Sequence, residues 1–160
     1  MPAKPALAGK GRRTPWVQGR YVPQNPSKYR GNPSNIVYRS SWERSLIRWC
    51  DSSRIVAAWS SEELVIPYRS PVDGRMHSYF VDFVVWLSTK DGIKKLAVEV
   101  KPKAECRMPK PPKKKSLNEA YLKRLETYAV NQAKWTYARA WCKANGFTFV
   151  ILTEDELCKK

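Results

Sequence analysis

Tyr79-Phe80-Val81-Asp82-Phe83-Val84-Val85-Trp86 is a run of aromatic and β-branched residues with a single carboxylate set inside it. Such a run reads as a buried strand, and a buried carboxylate is costly unless it is paired or holds a metal ion. Beyond a turn at Asp91-Gly92 the chain continues Ala97-Val98-Glu99-Val100-Lys101. Side chains alternate along a strand, so Glu99 and Lys101 project from one face. Two neighbouring strands then bring Asp82 beside Glu99, with Lys101 one step on. Converging carboxylates form a hard-oxygen site suited to Mg²⁺ or Mn²⁺. The lysine can orient an attacking water or stabilise charge building on a phosphate. The plainer reading is a satisfied ion pair between strands. A lone Glu-x-Lys is common by chance, and it is the Asp in the preceding apolar strand that sets this one apart.

Working outward, Ile55 to Tyr68 reads as a strand with an irregular middle and His77 to Leu87 as a second, separated by a Pro71-Val72-Asp73-Gly74 turn. Ile93 to Lys101 makes a third, and the three are expected to form a meander. Upstream, a helix begins at Ser40, with Trp42, Leu46, Trp49 and Cys50 at helical spacing. Ser40-x-x-Glu43 is a capping-box pattern, so Glu43 is by pattern a helix cap. Downstream, Ser116 with Glu119 predicts the start of a long helix that ends at Asn145-Gly146. Leu125, Tyr128, Gln132, Trp135 and Cys142 share one face of it. Gln132 is a polar group on that stripe, serving either packing or the site, and Lys134 lies beside the stripe, where a phosphate could meet it. Phe147 to Leu152 is a last strand, which the long helix lets lie parallel to a neighbour. The expected fold class is α/β, an α+β mixed sheet in the order helix, three strands, long helix, strand. His77, a single histidine ahead of the Asp82 strand, reads as structural.

The whole chain has 160 residues, room for one domain of ordinary size. With 42% hydrophobic residues and seven tryptophans it can build a core, which excludes a wholly disordered basic tail. No apolar stretch approaches the ~20 residues that cross a bilayer, and the N-terminus has no apolar block of the secretory kind. A soluble intracellular protein with no membrane association is therefore expected. Cys50, Cys106, Cys142 and Cys158 are too scattered for a zinc site and read as free thiols. The net charge of +16 points to a polyanion, with nucleic acid the foremost. Residues 1–35 read as a basic, Pro/Gly-rich extended arm and 36–160 as the domain. Within the arm Trp16, Tyr21 and Tyr29 are placed either to stack on bases or to pin the arm down. Residues 101–115 hold seven Lys/Arg and four Pro and read as a mobile basic loop. Candidate nucleic-acid contacts are Arg12, Arg13, Arg20, Lys28, Arg30, Arg39, Lys103, Lys113, Lys114 and Lys115.

Glu43 on a first helix, Asp82 in a strand and Glu99-Val100-Lys101 in the next resemble the PD-(D/E)xK nuclease superfamily, whose αβββαβ restriction-endonuclease-like core has the element order read above. Tyr38-Arg39-Ser40-Ser41-Trp42-Glu43-Arg44, Ile66-Pro67-Tyr68, Val98-Glu99-Val100-Lys101-Pro102 and Asn131-Gln132-Ala133-Lys134-Trp135 are similar to phrases in the head completion nucleases of tailed myoviruses. They also look like the endonuclease subunit of heteromeric bacterial transposases. The resemblance covers roughly residues 20 to 157. It implies a metal-dependent DNA nuclease in which Glu43, Asp82 and Glu99 hold Mg²⁺, with Mn²⁺ able to substitute. Lys101 then assists the nucleophile, and Gln132 and Lys134 are auxiliary. Val81 stands where that superfamily carries a proline that shapes the turn, so no chemical group is lost. For a head completion protein the implied task is processing DNA ends around packaging, with capsid or portal and neck proteins as partners and the virion or host cytoplasm as the address. The alternatives are a transposon-end or junction-resolving endonuclease on the same fold, and a non-catalytic basic DNA-binding or capsid plug protein.

Overall fold

Strand pairing divides the apolar runs of the chain between a central sheet and a hairpin beside it. The computed structural model describes residues 18–114 and 118–158. Two short strands, β1 (Gly19–Tyr21) and β2 (Ile36–Tyr38), pair antiparallel, and α1 (Ser41–Ser52) follows. The next strands are β3 (Val56–Ser61), β4 (Val65–Arg69), β5 (Met76–Phe80), β6 (Phe83–Thr89) and β7 (Gly92–Val100). The long helix α2 (Glu119–Asn145) then leads to β8 (Thr148–Leu152) and a closing turn of helix, α3 (Glu154–Leu157). The central sheet has the order β3-β6-β7-β8, antiparallel except for the parallel pair β7–β8, and β4–β5 form a separate antiparallel hairpin. The mixed sheet with helices on both faces is the fold class expected from the sequence.

Two of the expected strands are each broken in the middle, and at the same level. Ile55–Tyr68 becomes β3 and β4, and His77–Leu87 becomes β5 and β6. Glu62, the one non-glycine residue with positive φ (55°) among those described, turns the first, and Val81-Asp82 turns the second. The breaks are stitched by Glu62 N–H to the Asp82 carbonyl (3.0 Å) and Val81 N–H to the Leu64 carbonyl (2.9 Å). The paired strands thus leave the central sheet together. The meander survives as β3-β6-β7, with the hairpin as an excursion from it.

Alternation along β6 and β7 sends side chains to two cores. Phe83, Val85, Val98 and Val100 pack with Leu46, Ile47 and Cys50 of α1 and with Trp59. On the opposite face Ala97 packs with Ile66, Tyr68, Tyr79 and Val81, and with Trp135, Ala138 and Cys142 of α2. Gly146 ends α2 in the left-handed conformation (φ 74°), as its sequence predicts. The start differs: Asn118 is the N-cap, its side chain accepting from Tyr121 N–H, and Ser116 lies outside the described residues.

The expected arm is divided. Residues 1–17, with Arg12, Arg13 and Trp16, lie outside the described residues. From Gly19 onward the chain is part of the folded body, because β1 pairs with β2 and both Tyr21 and Tyr29 meet the Trp59 ring edge-on, at centroid distances of 6.4 and 4.7 Å. These two tyrosines pin the segment to the domain. Among the described residues no helix is long and apolar enough to cross a membrane.

Candidate nuclease site

Asp82 stands where the chain passes from the hairpin to the central sheet. Its Oδ2 accepts a hydrogen bond from Val100 N–H at the end of β7 (2.8 Å), so the carboxylate is turned toward the residues that follow Glu99. Glu99 is 4% exposed, on the α2 face of β7. Tyr79 donates its hydroxyl hydrogen to Glu99 Oε2, and Lys101 Nζ lies 3.4 Å from Glu99 Oε1. Alternation at the end of β7 and the break between β5 and β6 thus bring Asp82, Glu99 and Lys101 together, a meeting the sequence led one to expect by strand alternation alone.

Glu43 reaches the same place from α1. Ser40 caps the helix by accepting from Glu43 N–H (3.1 Å), while Glu43 Oε2 accepts from Arg39 N–H (2.8 Å) rather than from Ser40. Glu43 therefore serves as a cap and also faces the strand carboxylates. A pocket lined by Arg39, Ser40, Trp42, Glu43, Val100, Lys101, Pro102 and Glu105 opens at this end of the sheet. One acid at the site carried no sequence signal. Glu62 pairs through Oε1 with Arg39 Nη1, and only its left-handed backbone, which sequence does not reveal, brings it there.

Charge crowding is the electrostatic signature of the site. Burial pushes the Asp82 carboxyl well above its ordinary range, and the charges of Glu99 and Glu43 push it further. Burial also raises Glu43, with Glu62 and Glu99 adding to the effect against Arg39. For Lys101 burial acts downward, but the carboxylates of Glu99 and Asp82 outweigh it and hold the ammonium above its usual value. Lys134 is lowered, by burial first and by Lys101 in addition, against the opposing charges of Glu99 and Asp82. Its Nζ rests over the rings of Tyr68 and Tyr79, 5.7 and 5.6 Å from their centroids. The Tyr79 phenol is raised, by burial and then by Glu99 and Asp82, and stays a donor.

Among the described residues no three His, Cys, Asp or Glu side chains already stand together as a ligand set. The donor chemistry nevertheless fits a hard divalent cation. Asp82 and Glu43 are carboxyls held above their normal range by burial and by the charge of neighbouring acids, the condition that such an ion relieves.

The other expected contacts are dispersed. Gln132 is half-buried on α2. Arg20, Lys113 and Lys114 are exposed, Arg30 stacks over the Trp86 ring at 5.0 Å, and Lys115 lies outside the described residues. Lys103 pairs with Asp155 (2.7 Å). Two more expected contacts are held within the fold. The Lys28 ammonium donates to the carbonyls of Asp51 and Ser53 at the end of α1 (3.1 and 2.7 Å), and the Arg39 guanidinium is held by Glu62. His77 pairs with Asp73 across the hairpin turn, away from the acids.

The sequence profile of the TnsA-like endonuclease N-terminal family matches residues 53–154, a stretch that includes Asp82, Glu99 and Lys101. The head completion nuclease of Enterobacteria phage T4 is 40% identical over 146 residues, covering 87% of this chain and 92% of that protein.

Proposed function

The chain belongs to the TnsA-like endonuclease N-terminal family, and from that premise we propose that it cuts DNA with a divalent cation held by Glu43, Asp82 and Glu99. It is a nuclease of phage head completion. The observation that carries the finer reading is the meeting of Asp82, Glu99 and Lys101 where the hairpin joins the sheet. A bound Mg²⁺ or Mn²⁺ ion would supply Lewis-acid activation of water and neutralise charge on the phosphate.

The chain's own residues do the remainder. Glu43, Asp82 and Glu99 supply oxygen donors from three separate elements. Lys101, kept charged by Glu99 and Asp82, presents an N–H to the attacking water or to a non-bridging phosphate oxygen. Lys134 offers a second ammonium from α2, and Gln132 is the auxiliary polar group beside it. The new bond joins the water oxygen to phosphorus as the water gives up a proton to solvent, the bond to the leaving sugar oxygen breaks, and that oxygen takes up a proton in return. Arg20, Arg30, Lys103, Lys113 and Lys114, together with Arg12, Arg13 and Lys115, hold the backbone through phosphate contacts. Such contacts fix position rather than sequence, so binding is strongly salt-dependent and weakly specific. The task is the processing of DNA ends around packaging, on or near the capsid and its portal region.

The test is cleavage of linear and circular DNA with and without Mg²⁺ or Mn²⁺, beside the Asp82→Ala variant. Metal-dependent cutting that disappears in the variant supports the reading, and the circular substrate tells whether ends are required. Wild-type cutting by Asp82→Ala would overturn the site. Tight binding without cutting under either metal would favour a DNA-holding structural protein.

A further inference from the structure

We propose that Tyr79 is the positioning residue of this site: its hydroxyl sets the Glu99 carboxylate for the cation, and its ring seats Lys134 for the phosphate. The proposal rests on the metal-dependent reading above and assigns a role to a residue outside the acid and lysine set. Tyr79 is 3% exposed and comes from β5, in the hairpin rather than the central sheet. It is two residues before the strand break that delivers Asp82, so the same bend fixes both side chains relative to β7.

Tyr79 donates to Glu99 Oε2, and Lys101 Nζ faces Glu99 Oε1. The carboxylate is thus held from both sides, by groups from two elements. A ligand carboxylate hydrogen-bonded in this way enters coordination already oriented, and the loss of such an outer partner characteristically weakens metal affinity. The other half of the role lies in the ring. Lys134 makes no ion pair or hydrogen bond among the described residues, and its ammonium rests on the faces of Tyr68 and Tyr79. A ring face holds a cation without neutralising it. Lys101 has a carboxylate in contact and Lys134 has an aromatic floor, with Glu99 and Asp82 attracting it from beyond ion-pair distance, so the Lys134 ammonium keeps its N–H groups for a phosphate oxygen.

The two halves separate by substitution. Tyr79→Phe removes the hydroxyl and keeps the ring, and Tyr79→Leu removes both. The full chain is compared as wild type, Tyr79→Phe, Tyr79→Leu, Tyr68→Leu and Lys134→Met. Mn²⁺ binding is followed by paramagnetic resonance of the free ion, cleavage by Mn²⁺ titration on plasmid DNA, and folding by thermal melting. Tyr79→Phe is expected to weaken Mn²⁺ binding about tenfold or more, and to raise the Mn²⁺ needed for half-maximal cleavage equally, with the rate at saturating Mn²⁺ little changed. Tyr79→Leu should add a loss at saturating Mn²⁺ matching that of Lys134→Met. Tyr68→Leu should show part of that loss with normal Mn²⁺ binding, and it stands in if the Tyr79→Leu chain does not fold. Wild-type Mn²⁺ binding by Tyr79→Phe would overturn the role of the hydroxyl. Wild-type turnover at saturating Mn²⁺ in both leucine variants, or in Tyr68→Leu if it alone folds, would overturn the role of the ring. Binding weakened in Tyr79→Phe while wild-type protein cuts nothing would uphold the positioning of Glu99 and sink the nuclease reading. Absence of Mn²⁺ binding by wild-type protein would sink both.

Discussion

Helix α1 carries a buried or half-buried acid at each end, and the two are held in opposite ways. At its C-terminal end Asp51 is 1% exposed, and its carboxylate accepts from the Tyr21 hydroxyl (2.7 Å), Gln24 N–H (2.7 Å) and Asn25 N–H (3.0 Å). Its carbonyl accepts from Asn25 Nδ2 and Lys28 Nζ. At the N-terminal end Glu43 accepts one backbone N–H and has the charge of Arg39 in its favour, while Asp82, Glu99 and Glu62 crowd it with like charge. Donors surround the first carboxylate and repulsion surrounds the second. A buried charge supplied with donors stabilises a fold, whereas a cluster short of them is tolerated at the expense of stability and is where a cation or a reaction belongs. Asp51 fastens residues 21–28 onto the domain, and Glu43 stands among the acids proposed to hold the cation.

The sharpest way to break this contrast is to remove one residue from the cluster gathered at each end. Lys101→Ala should lower DNA cleavage on the order of 10³-fold, the scale on which loss of a charge-stabilising group acts, while leaving DNA affinity close to wild type. Single-turnover cleavage beside a filter-binding curve reads both. The melting temperature should fall less than it does on loss of Asp51, because Glu99 loses its cation but keeps Tyr79. Asp51→Ala should do the reverse. Three donors lose their acceptor in a buried place, at a cost of roughly 3 kcal/mol or more, which for a chain of this size lowers the melting temperature by about 9 °C. Cleavage per folded molecule should be retained. An Asp51→Ala chain that melts normally, or a Lys101→Ala chain that cuts normally, would show that the two ends do not differ as described.

The sequence made the strand residues beside one end of α1 legible and not the acid at the other, and Glu43 itself read by pattern only as a cap. Asp82, Glu99 and Lys101 stood out because strand alternation is a rule with a period of two, so an acid in an apolar run has few places to point. Asp51 carried no such mark. The stripe Trp42, Leu46, Trp49, Cys50 set Trp49 inward, yet Trp49 is 43% exposed, and the buried face runs through Leu46, Ile47, Cys50 and Asp51. The signal was there in Ile47 and Asp51, four residues apart on one face, but an acid on a stripe ordinarily reads as its edge. The irregular middle of Ile55–Tyr68 was legible, but the bends at Glu62 and Val81-Asp82 that carry β4 and β5 out of the sheet were not, and for another reason. A non-glycine residue in the left-handed region is imposed by the tertiary fold, not by local propensity. The start of α1, the αL cap at Gly146 and the parallel last strand were legible, whereas the Ser116/Glu119 pattern set the start of α2 two residues ahead of its Asn118 cap.

A smaller effect sharpens the contrast through pH. Asp82 binds its proton more tightly in the folded protein than in the unfolded chain, because burial and the charges of Glu99 and Glu43 raise its folded pKa. Stability from this group is therefore complete below the unfolded value of about 4 and is lost as pH rises from there through the raised folded value. Asp82→Asn removes that loss and can still accept from Val100 N–H. In metal-free buffer the variant should melt with the wild type near pH 4 and above it at pH 7.5, by about 4 °C for each pKa unit of the shift. Added Mg²⁺ should raise the wild type and leave the variant unmoved. A wild-type chain that melts higher than Asp82→Asn at pH 7.5 without metal would show that Asp82 resembles Asp51 after all.

The smallest effect concerns cations, which divide along the same line. Lys28 belongs to the stabilising end of α1, where its ammonium closes the last turn of the helix on two carbonyls. Lys113 and Lys114 are exposed on the segment between β7 and α2. Charge that is already hydrogen-bonded to the fold releases few counterions when DNA arrives, whereas a free surface ammonium that meets a phosphate releases about one. Replacing Lys113 and Lys114 by alanine should therefore lower the salt dependence of DNA binding by roughly 0.9 in log–log slope for each phosphate no longer neutralised. Lys28→Ala should leave that slope where it was and cost about 1 kcal/mol of stability instead. Binding titrations from 50 to 200 mM salt, alongside urea unfolding of the three chains, measure both quantities. A slope that falls in Lys28→Ala and holds in the double variant would move the DNA track from the loop to the end of α1 that Asp51 fastens.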